Sequence, residues 1–293
     1  MTAVDVVVVS YNSREHLRDC VEPLTRMDGV RAIVVDNASS DGSLDSIADL
    51  PVVRLDRTEN GGFAKGCNEG WRAGSAPHVL FLNPDATIDE PSLRRLLDVL
   101  EHEPAAGAVA PKLLEEDGSL AYGLRRFPRL RSTYARALFL HRVLPRATWT
   151  DELIRDAAAY AVPASPEWVS GACVLVRREA LEELDGWDDG FFLYCEDVDL
   201  CRRLWSSGRA VRYEPDAIAV HHGGASAPTS VTLPLLAASR IRYAAKHHSR
   251  LYGALERLGL ALEELTRMLL SPRSLAVRRA HGRALALVLK GRA

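Results

Sequence analysis

No stretch of this 293-residue chain approaches the roughly 20 apolar residues that a membrane-spanning helix needs. Residues 1–9 carry no basic leader and interrupt an apolar run with Asp5, so a secretory signal is not expected there. Cysteine is sparse. Cys20, Cys67, Cys173, Cys195 and Cys201 are odd in number and form no CxxC pair. That argues against a disulfide framework or a zinc knuckle and for a reducing, cytoplasmic setting. The common phosphate-binding fingerprints are missing as well. Asn60-Gly61-Gly62-Phe63-Ala64-Lys65-Gly66 leads into a helix, yet it is neither GxGxxG nor a P-loop, which weakens NAD and P-loop readings. Gly224-Ala225-Ser226-Ala227-Pro228 lacks the last glycine of a nucleophile elbow, which argues against a serine hydrolase.

What is present is an ordinary globular mixture, 47% apolar and 26% charged. A chain of this length buries enough surface to need no covalent staples. The net charge of −2 conceals a segregation: residues 231–293 hold 12 Lys/Arg against 3 Asp/Glu, and residues 1–230 hold 25 against 36. The acidic bulk argues against a nucleic-acid partner, and the basic tail needs its own explanation.

Apolar runs alternate with helical patterns over the first hundred residues. Strands are expected at 4–9 (buried on both faces), 32–35, 52–55 and 79–82, and helices at 13–27, 43–50 and 62–73. The clearest helix follows Asp89, a candidate cap, with Leu93, Leu96, Leu97 and Leu100 on one face. This alternation predicts an α/β fold around a mainly parallel sheet. Residues 108–110 suggest a further strand. Residues 112–165, rich in Arg, Pro and Ala, predict only a helix near 131–143. Strands at 169–176 and 217–220 and helices at 178–184 and 197–206 follow. From 233 onward the pattern is helical, broken near Pro272. No internal repeat is present. The expected division is one domain over 1–230, with halves of about 1–111 and 112–230, then a helical basic extension over 231–293.

Ligands of open α/β sheets bind beyond the carboxyl ends of the strands. Three strands end there in polar residues: Ser10-Tyr11-Asn12, Asp36-Asn37 and Asn83-Pro84-Asp85. Each alone suits a turn or helix cap; three together suit a nucleotide and a hard divalent cation. In the helix at 197–206, Val198, Leu200, Cys201, Leu204 and Trp205 surround Asp197, while Asp199 and Arg203 fall outside that apolar face. A carboxylate on a buried stripe is paired or used. His221-His222, after the last strand, is a metal ligand or ordinary surface.

Together these motifs resemble family-2 glycosyltransferases of the GT-A type. The resemblance rests on VVVVSYN (6–12), VDNASSDGS (35–43), NGGFAKGCNEG (60–70), LFLNPDA (80–86), SGACVLVRREALEELDGWDDGFFLYCEDVDLCRRL (170–204) and HHGGAS (221–226). It covers about 4–226, and the NPD and FFLYCEDVDLCRR forms look most like the bacterial rhamnosyltransferase branch. The resemblance implies an inverting enzyme that uses a nucleotide-diphosphate sugar and Mg²⁺ or Mn²⁺, with 1–230 as its catalytic domain, about 1–111 the nucleotide-binding half and about 112–230 the acceptor half. It puts Ser10, Tyr11, Asn12 and Asp36 at the base and ribose. Asn60, Gly61, Lys65 and Asn68 match the loop that closes over the nucleotide. Asp85 matches the last position of the DxD metal motif, with Asn83 in place of the first Asp and His221 as a second ligand. Asp197 matches the general base, with Glu196 orienting the acceptor. Trp168 and Gly171 fall in the acceptor region, where Trp168 either stacks on a sugar or fills the core.

The implied donor is a dTDP or UDP sugar, dTDP-rhamnose in this branch, and the acceptor a glycan or a lipid-linked hydroxyl used in cell-wall or polysaccharide synthesis. A nucleotidyltransferase would need a basic glycine-rich first loop, and the loop here is Ser10-Tyr11-Asn12-Ser13. A non-catalytic nucleotide-sugar-binding protein is the other alternative. The tail, with Leu251, Leu255, Leu258, Leu262, Leu265 and Leu269 at helical spacing, either packs on the catalytic domain or in a homodimer, or lies on the inner face of the plasma membrane.

Overall fold

The computed structural model of the protein describes residues 3–222, 229–270 and 274–290. In chain order the elements begin with β1 (Val4–Ser10), α1 (Arg14–Leu24), β2 (Val30–Asp36), β3 (Val53–Asp56), α2 (Phe63–Ala73), β4 (His78–Leu82), β5 (Ala86–Ile88), α3 (Glu90–His102) and β6 (Ala106–Glu115). Then come β7 (Leu120–Ala121), β8 (Leu124–Arg125), α4 (Leu130–Ala137), α5 (Leu140–Val143), β9 (Trp168–Val169), β10 (Cys173–Arg177), α6 (Arg178–Leu184) and α7 (Glu196–Ser206). The chain continues through β11 (Ala210–His221), α8 (Thr229–His247), α9 (Arg250–Leu270) and α10 (Leu275–Lys290).

Two compact units arise, and they do not follow chain order. The first holds 1–125, 155–190 and 196–225; the second holds 126–154, 191–195 and 226–293. This division differs from a boundary at 230 because 126–154 and 191–195 pack with the C-terminal helices.

The sheet of the first unit runs β3-β2-β1-β4-β10-β6-β11-β5, with β7 on β6. The β3-β2-β1-β4 half is parallel, as the alternating pattern predicts. Beyond it β10 runs antiparallel to both β4 and β6, while β6 and β11 are parallel. Every residue of β1 is buried. Val4, Val6 and Val8 share a core cluster with Leu17, Val21 and Leu24 of α1. The glycines of α2 sit over the other face of β1. A Cβ on Gly70 would come within 2.3 Å of Val7, and one on Gly66 within 2.7 Å of Val9. Each glycine costs a helix about 1 kcal/mol, and here the cost is offset by close helix-to-strand contact. Asp89 caps α3 as expected, accepting from the Ser92 amide at 2.8 Å.

Three expectations are corrected. The strand at 169–176 is two strands. β9 pairs with β8 in a separate ribbon, the chain turns at Ser170-Gly171, and only β10 enters the main sheet. The helix near 131–143 is broken into α4 and α5 at Phe139, which adopts a left-handed backbone with φ 56°. The helical tail divides at Ser249, whose hydroxyl accepts from the Tyr252 amide at the start of α9. The expected break at Pro272 lies outside the described residues, as does most of HHGGAS.

The second unit has a small apolar cluster of Ala237, Leu260, Ala284 and Val288 and a chain of buried ion pairs. Arg240 meets Glu152 at 2.8 Å and Glu256 at 2.9 Å. Thr133 donates to the same Glu256 carboxylate. Glu263 takes Arg136 and Arg267 at 3.1 and 2.9 Å.

In the first unit, Asp5 is fully buried. It accepts from Arg31 and Arg178, each at 2.7 Å, and from the Ala76 amide at 2.8 Å. Removing Asp5 leaves the largely buried Arg178 guanidinium and the Ala76 amide without their acceptor. Asp5→Ala is expected to lower the unfolding free energy by about 3–5 kcal/mol, read as a lower urea midpoint at unchanged slope. An unchanged midpoint would show that the two arginines find other partners.

Candidate active site

The parallel register places Ser10 beside Asp36, at the carboxyl ends of β1 and β2. The Ser10 hydroxyl is buried and has no hydrogen-bond partner among the described residues. An orphaned hydroxyl at this position fits a ligand that supplies the missing partner. Asp36 is buried, and its two oxygens accept from the Ser39 amide and hydroxyl at 2.8 and 2.6 Å. Each oxygen keeps a lone pair for a donor on a base or ribose. Asn12, left-handed at φ 51°, accepts from the Ser40 amide at 2.9 Å and so folds the 36–40 turn beside β1. Tyr11 is exposed.

The glycine-rich turn is ordered by Asn60, which accepts from the Gly62 amide at 2.9 Å. Gly62 has φ 88°, and a Cβ on Gly61 would lie 2.6 Å from the Arg57 guanidinium. Arg57, which the sequence reading missed, donates to Asn37 at 3.0 Å and pairs with Glu69 at 3.4 Å. Asn37 in turn donates to the Gly62 carbonyl at 3.1 Å. Lys65 is partly exposed, 3.9 Å from Glu59. Asn68 departs from its expected place on a closing loop. It is buried, accepting from the Trp187 amide and the Trp71 indole and donating to the Trp187 carbonyl. Its amide is consumed in joining α2 to the turn after α6.

At the end of β4, the Asn83 amide donates to the Ala172 carbonyl at 2.9 Å. Asp85 Oδ1 lies 3.2 Å from His221 Nε2. Burial pushes the Asp85 carboxyl up, but the hydrogen bond and charge of His221 outweigh it and hold it below its ordinary value. His221 is raised chiefly by the same bond. One carboxylate and one imidazole are donors that Mn²⁺ accepts, and the carboxylate alone suits Mg²⁺. The pair therefore fits a divalent cation. Among the described residues no cluster of three ligating side chains occurs.

Helix α7 carries three carboxylates with three environments. Asp197 is partly exposed at its first turn, accepting from the Gly171 amide at 3.2 Å and from the Val198 amide at 2.8 Å. Burial raises its pKa, against the lowering effect of those amides and of the Arg125 charge. Gly171 is thus a positioning group for Asp197. Arg125 also lies 5.1 Å above the Trp168 ring. Trp168 is buried under that guanidinium, so of the two roles open to it, filling the core is the one its burial supports. Arg125 falls in the patternless 112–165 stretch, and no sequence signal marked it. Glu196 is buried rather than turned to an acceptor, and its charge, after burial itself, helps keep the Cys67 thiol protonated.

Asp199 was expected outside the buried face and is fully buried. Its carboxylate accepts from Arg203 at 2.7 Å, and Arg203 donates to the Leu184 and Gly186 carbonyls. The helical wheel shows where apolar side chains lie, and here the Asp199–Arg203 ion pair within α7, hydrogen-bonded to carbonyls at and after the end of α6, buries the polar face too.

A mixed sheet with a buried polar rim at its carboxyl edge and a helix-borne carboxylate defines a GT-A glycosyltransferase. The chain matches the glycosyl transferase family 2 model over residues 5–185 and belongs to that family. Its relatives place it in the rhamnosyltransferase branch. It is 33% identical over 232 residues to the N-acetylglucosaminyl-diphospho-decaprenol L-rhamnosyltransferase of Mycobacterium tuberculosis, covering 74% of this chain and 75% of that protein. It is 25% identical to rhamnosyltransferase WbbL of Escherichia coli K12, covering 75% and 83%. The fold is shared with a Pyrobaculum calidifontis mannosyltransferase in complex with GDP-Man and Mn²⁺ (TM-score 0.57, 18% identity, 99% of this chain and 76% of that one). It is shared too with S. aureus TarS 1-349 in complex with UDP-GlcNAc (TM-score 0.57, 14% identity, 98% and 80%).

The two aspartates separate by stability. Asp199→Asn is expected to cost roughly 3 kcal/mol, because it leaves the Arg203 guanidinium buried without a counter-charge. Asp197→Asn should change stability by less than about 1 kcal/mol, since the amide still accepts from backbone. Calorimetric melting of both variants checks this; equal losses would assign Asp197 to the scaffold.

Proposed function

We propose that this chain transfers L-rhamnose from dTDP-rhamnose, with inversion, to a hydroxyl of a sugar carried on a lipid diphosphate. The observation that carries the chemistry is the Asp197 carboxylate. It is held by the Gly171 and Val198 amides and is raised in pKa by burial. The transferred sugar and the lipid-diphosphate acceptor follow the activity named for the relative at 33% identity, and the dTDP carrier follows the resemblance of the sequence motifs. The sheet edge has groups suited to a pyrimidine nucleotide in Ser10 and Asp36. Asn60 and Gly61 shape the loop over its phosphates, with Lys65 available for charge.

Asp85 and His221 are the residues that would hold Mg²⁺ or Mn²⁺. When bound, such an ion offsets the charge developing on the departing diphosphate. Asp197 accepts the proton of the acceptor hydroxyl while that oxygen attacks the anomeric carbon from the face opposite the leaving group. The raised pKa makes this carboxylate a stronger base than an ordinary aspartate, and a positioned base is worth roughly 10²–10⁴-fold. Protonation removes the base, so the acid limb of kcat should begin at a higher pH than an ordinary aspartate would give. Arg125 moderates that shift through its charge.

The test is release of dTDP from dTDP-rhamnose with a polyprenyl diphosphate N-acetylglucosamine acceptor. Asp197→Asn should keep donor affinity and lose at least about 100-fold in kcat. Asp85→Ala and excess EDTA should each abolish nucleotide-dependent thermal stabilisation. Full turnover in EDTA would remove the metal from the reading. Turnover with a GDP sugar in preference to both pyrimidine nucleotides would overturn the donor.

A further inference from the structure

We propose that the second compact unit is a docking face for an anionic lipid surface, with the outer side of α9 laid against it. The proposal stands independently of which sugar is transferred.

Helix α9 is built the wrong way round for a soluble domain. Leu251, Leu255, Leu258, Leu262, Leu265 and Leu269 alternate four and three residues apart. At 100° per residue they fall within an arc of roughly 80°. That arc faces outward: Leu251, Leu258 and Leu269 are 70%, 61% and 58% exposed. The glutamates of the same helix face inward. Glu256, Glu263 and Glu264 are buried, against Arg240, Arg136 with Arg267, and His281 respectively. A surface helix ordinarily turns its leucines in and its glutamates out.

The helices on either flank of α9, α4 and α10, leave this stripe exposed. On one flank Tyr134 donates to the Leu255 carbonyl and Thr266 to the Ala137 carbonyl, which ties the helix to α4. On the other flank Arg257 donates to the Val288 carbonyl of α10. The unit exposes further apolar groups, among them Leu138, Val143 and Leu289.

Charge identifies the occupant. The unit contains 18 Lys/Arg and 5 Asp/Glu, a balance of +13. Four of the five acids are buried and the fifth, Asp151, is half-buried. Arg142, Arg146, Arg279 and Arg283 are exposed. The outward surface is therefore apolar and basic, the combination that binds anionic headgroups and inserts shallowly beneath them. The four-three spacing also suits a coiled-coil seam with a second copy. Two surfaces of +13 repel each other, however. The positions beside the stripe (Tyr252, Ala254, Gly259, Ala261, Thr266 and Met268) bring no charges that could pair across a dimer.

The test is co-sedimentation of the full chain with vesicles, without donor or acceptor. Equal parts of phosphatidylglycerol and phosphatidylcholine should bind at least about tenfold more protein than phosphatidylcholine alone at low salt, and high salt should remove most of the difference. The double variant Leu258→Glu/Leu265→Glu, with both changes on exposed positions, should keep the melting temperature and lose at least about tenfold in binding. Arg279→Glu/Arg283→Glu should lose more than about tenfold at low salt, at roughly fivefold per basic residue, and carries the test if the leucine variant misfolds. Absence of vesicle binding by the native chain at low salt overturns the proposal, as does undiminished binding by a folded leucine variant. A native dimer that Leu258→Glu/Leu265→Glu converts to monomer assigns the stripe to self-association instead, and this too overturns it. None of these readings depends on rhamnose transfer, so failure of the proposed activity leaves them intact.

Discussion

A fully buried carboxylate anchors the parallel half of the sheet. Asp5, near the start of β1, draws Arg31 from β2, Arg178 from the first turn of α6 and the Ala76 amide ahead of β4 to one point. With the amino ends of the strands pinned there, the parallel register carries through to the opposite edge and sets Ser10 beside Asp36. Close packing allows little slack around this anchor: a Cβ on Gly74 would stand 2.1 Å from the Asp5 carboxylate. A hydrogen-bonded cluster of this kind specifies geometry more than it adds stability, because desolvating three charges offsets most of their attraction. Its contribution is a polar rim whose members come from different strands yet stand together.

The same division of labour recurs on α7 over a single turn. Asp199 is bound to Arg203, and through it to the carbonyls that end α6 and begin the next turn, so it fixes where the helix lies. Asp197, two residues earlier, is held by backbone amides and stays partly open to solvent. Amides orient a carboxylate without neutralising it, and burial makes the charged form more costly. A group that is oriented but incompletely compensated is one that gains by accepting a proton, which an aspartate paired to arginine does not.

Much of this was legible in the sequence, since the features concerned are local. The buried run of β1, the Asp89 cap, the leucine face of α3 and the polar strand ends all follow from spacing and turn chemistry. What was illegible depends on partners distant in the chain. Asp199 looked solvent-facing because a helical wheel cannot see Arg203 reaching carbonyls of another element. Asn68 looked like a loop contact because its three hydrogen bonds are to Trp71 and Trp187. The strand at 169–176 looked continuous because no periodicity reports that Ser170-Gly171 must turn an amide toward Asp197. Arg125 lay in a stretch whose pattern is weak for a physical reason: residues 126–154 are ordered by ion pairs to α8 and α9, and ion pairs leave no apolar period to read.

That reliance on ion pairs bears on why the C-terminal helices are built as they are. A core of Leu in place of Glu256, Glu263, Arg136 and Arg240 would hold the unit together at least as well, because buried ion pairs recover little more than their desolvation cost. Leu260 joins the small apolar cluster, yet six further leucines of α9 that could extend such a core occupy the outward arc. Stability alone would favour the reverse arrangement, with the added benefit of a soluble acidic face. The inverted helix therefore makes sense through what it displays. Turning its three glutamates inward also strips the outer surface of charges that would oppose an anionic partner. The acidic balance of the whole chain is then carried by the first unit, whose 19 Lys/Arg against 34 Asp/Glu leave it at −15. A near-neutral protein is thus composed of two strongly and oppositely charged parts, and its association behaviour follows the local charge of whichever face meets the partner rather than the net value.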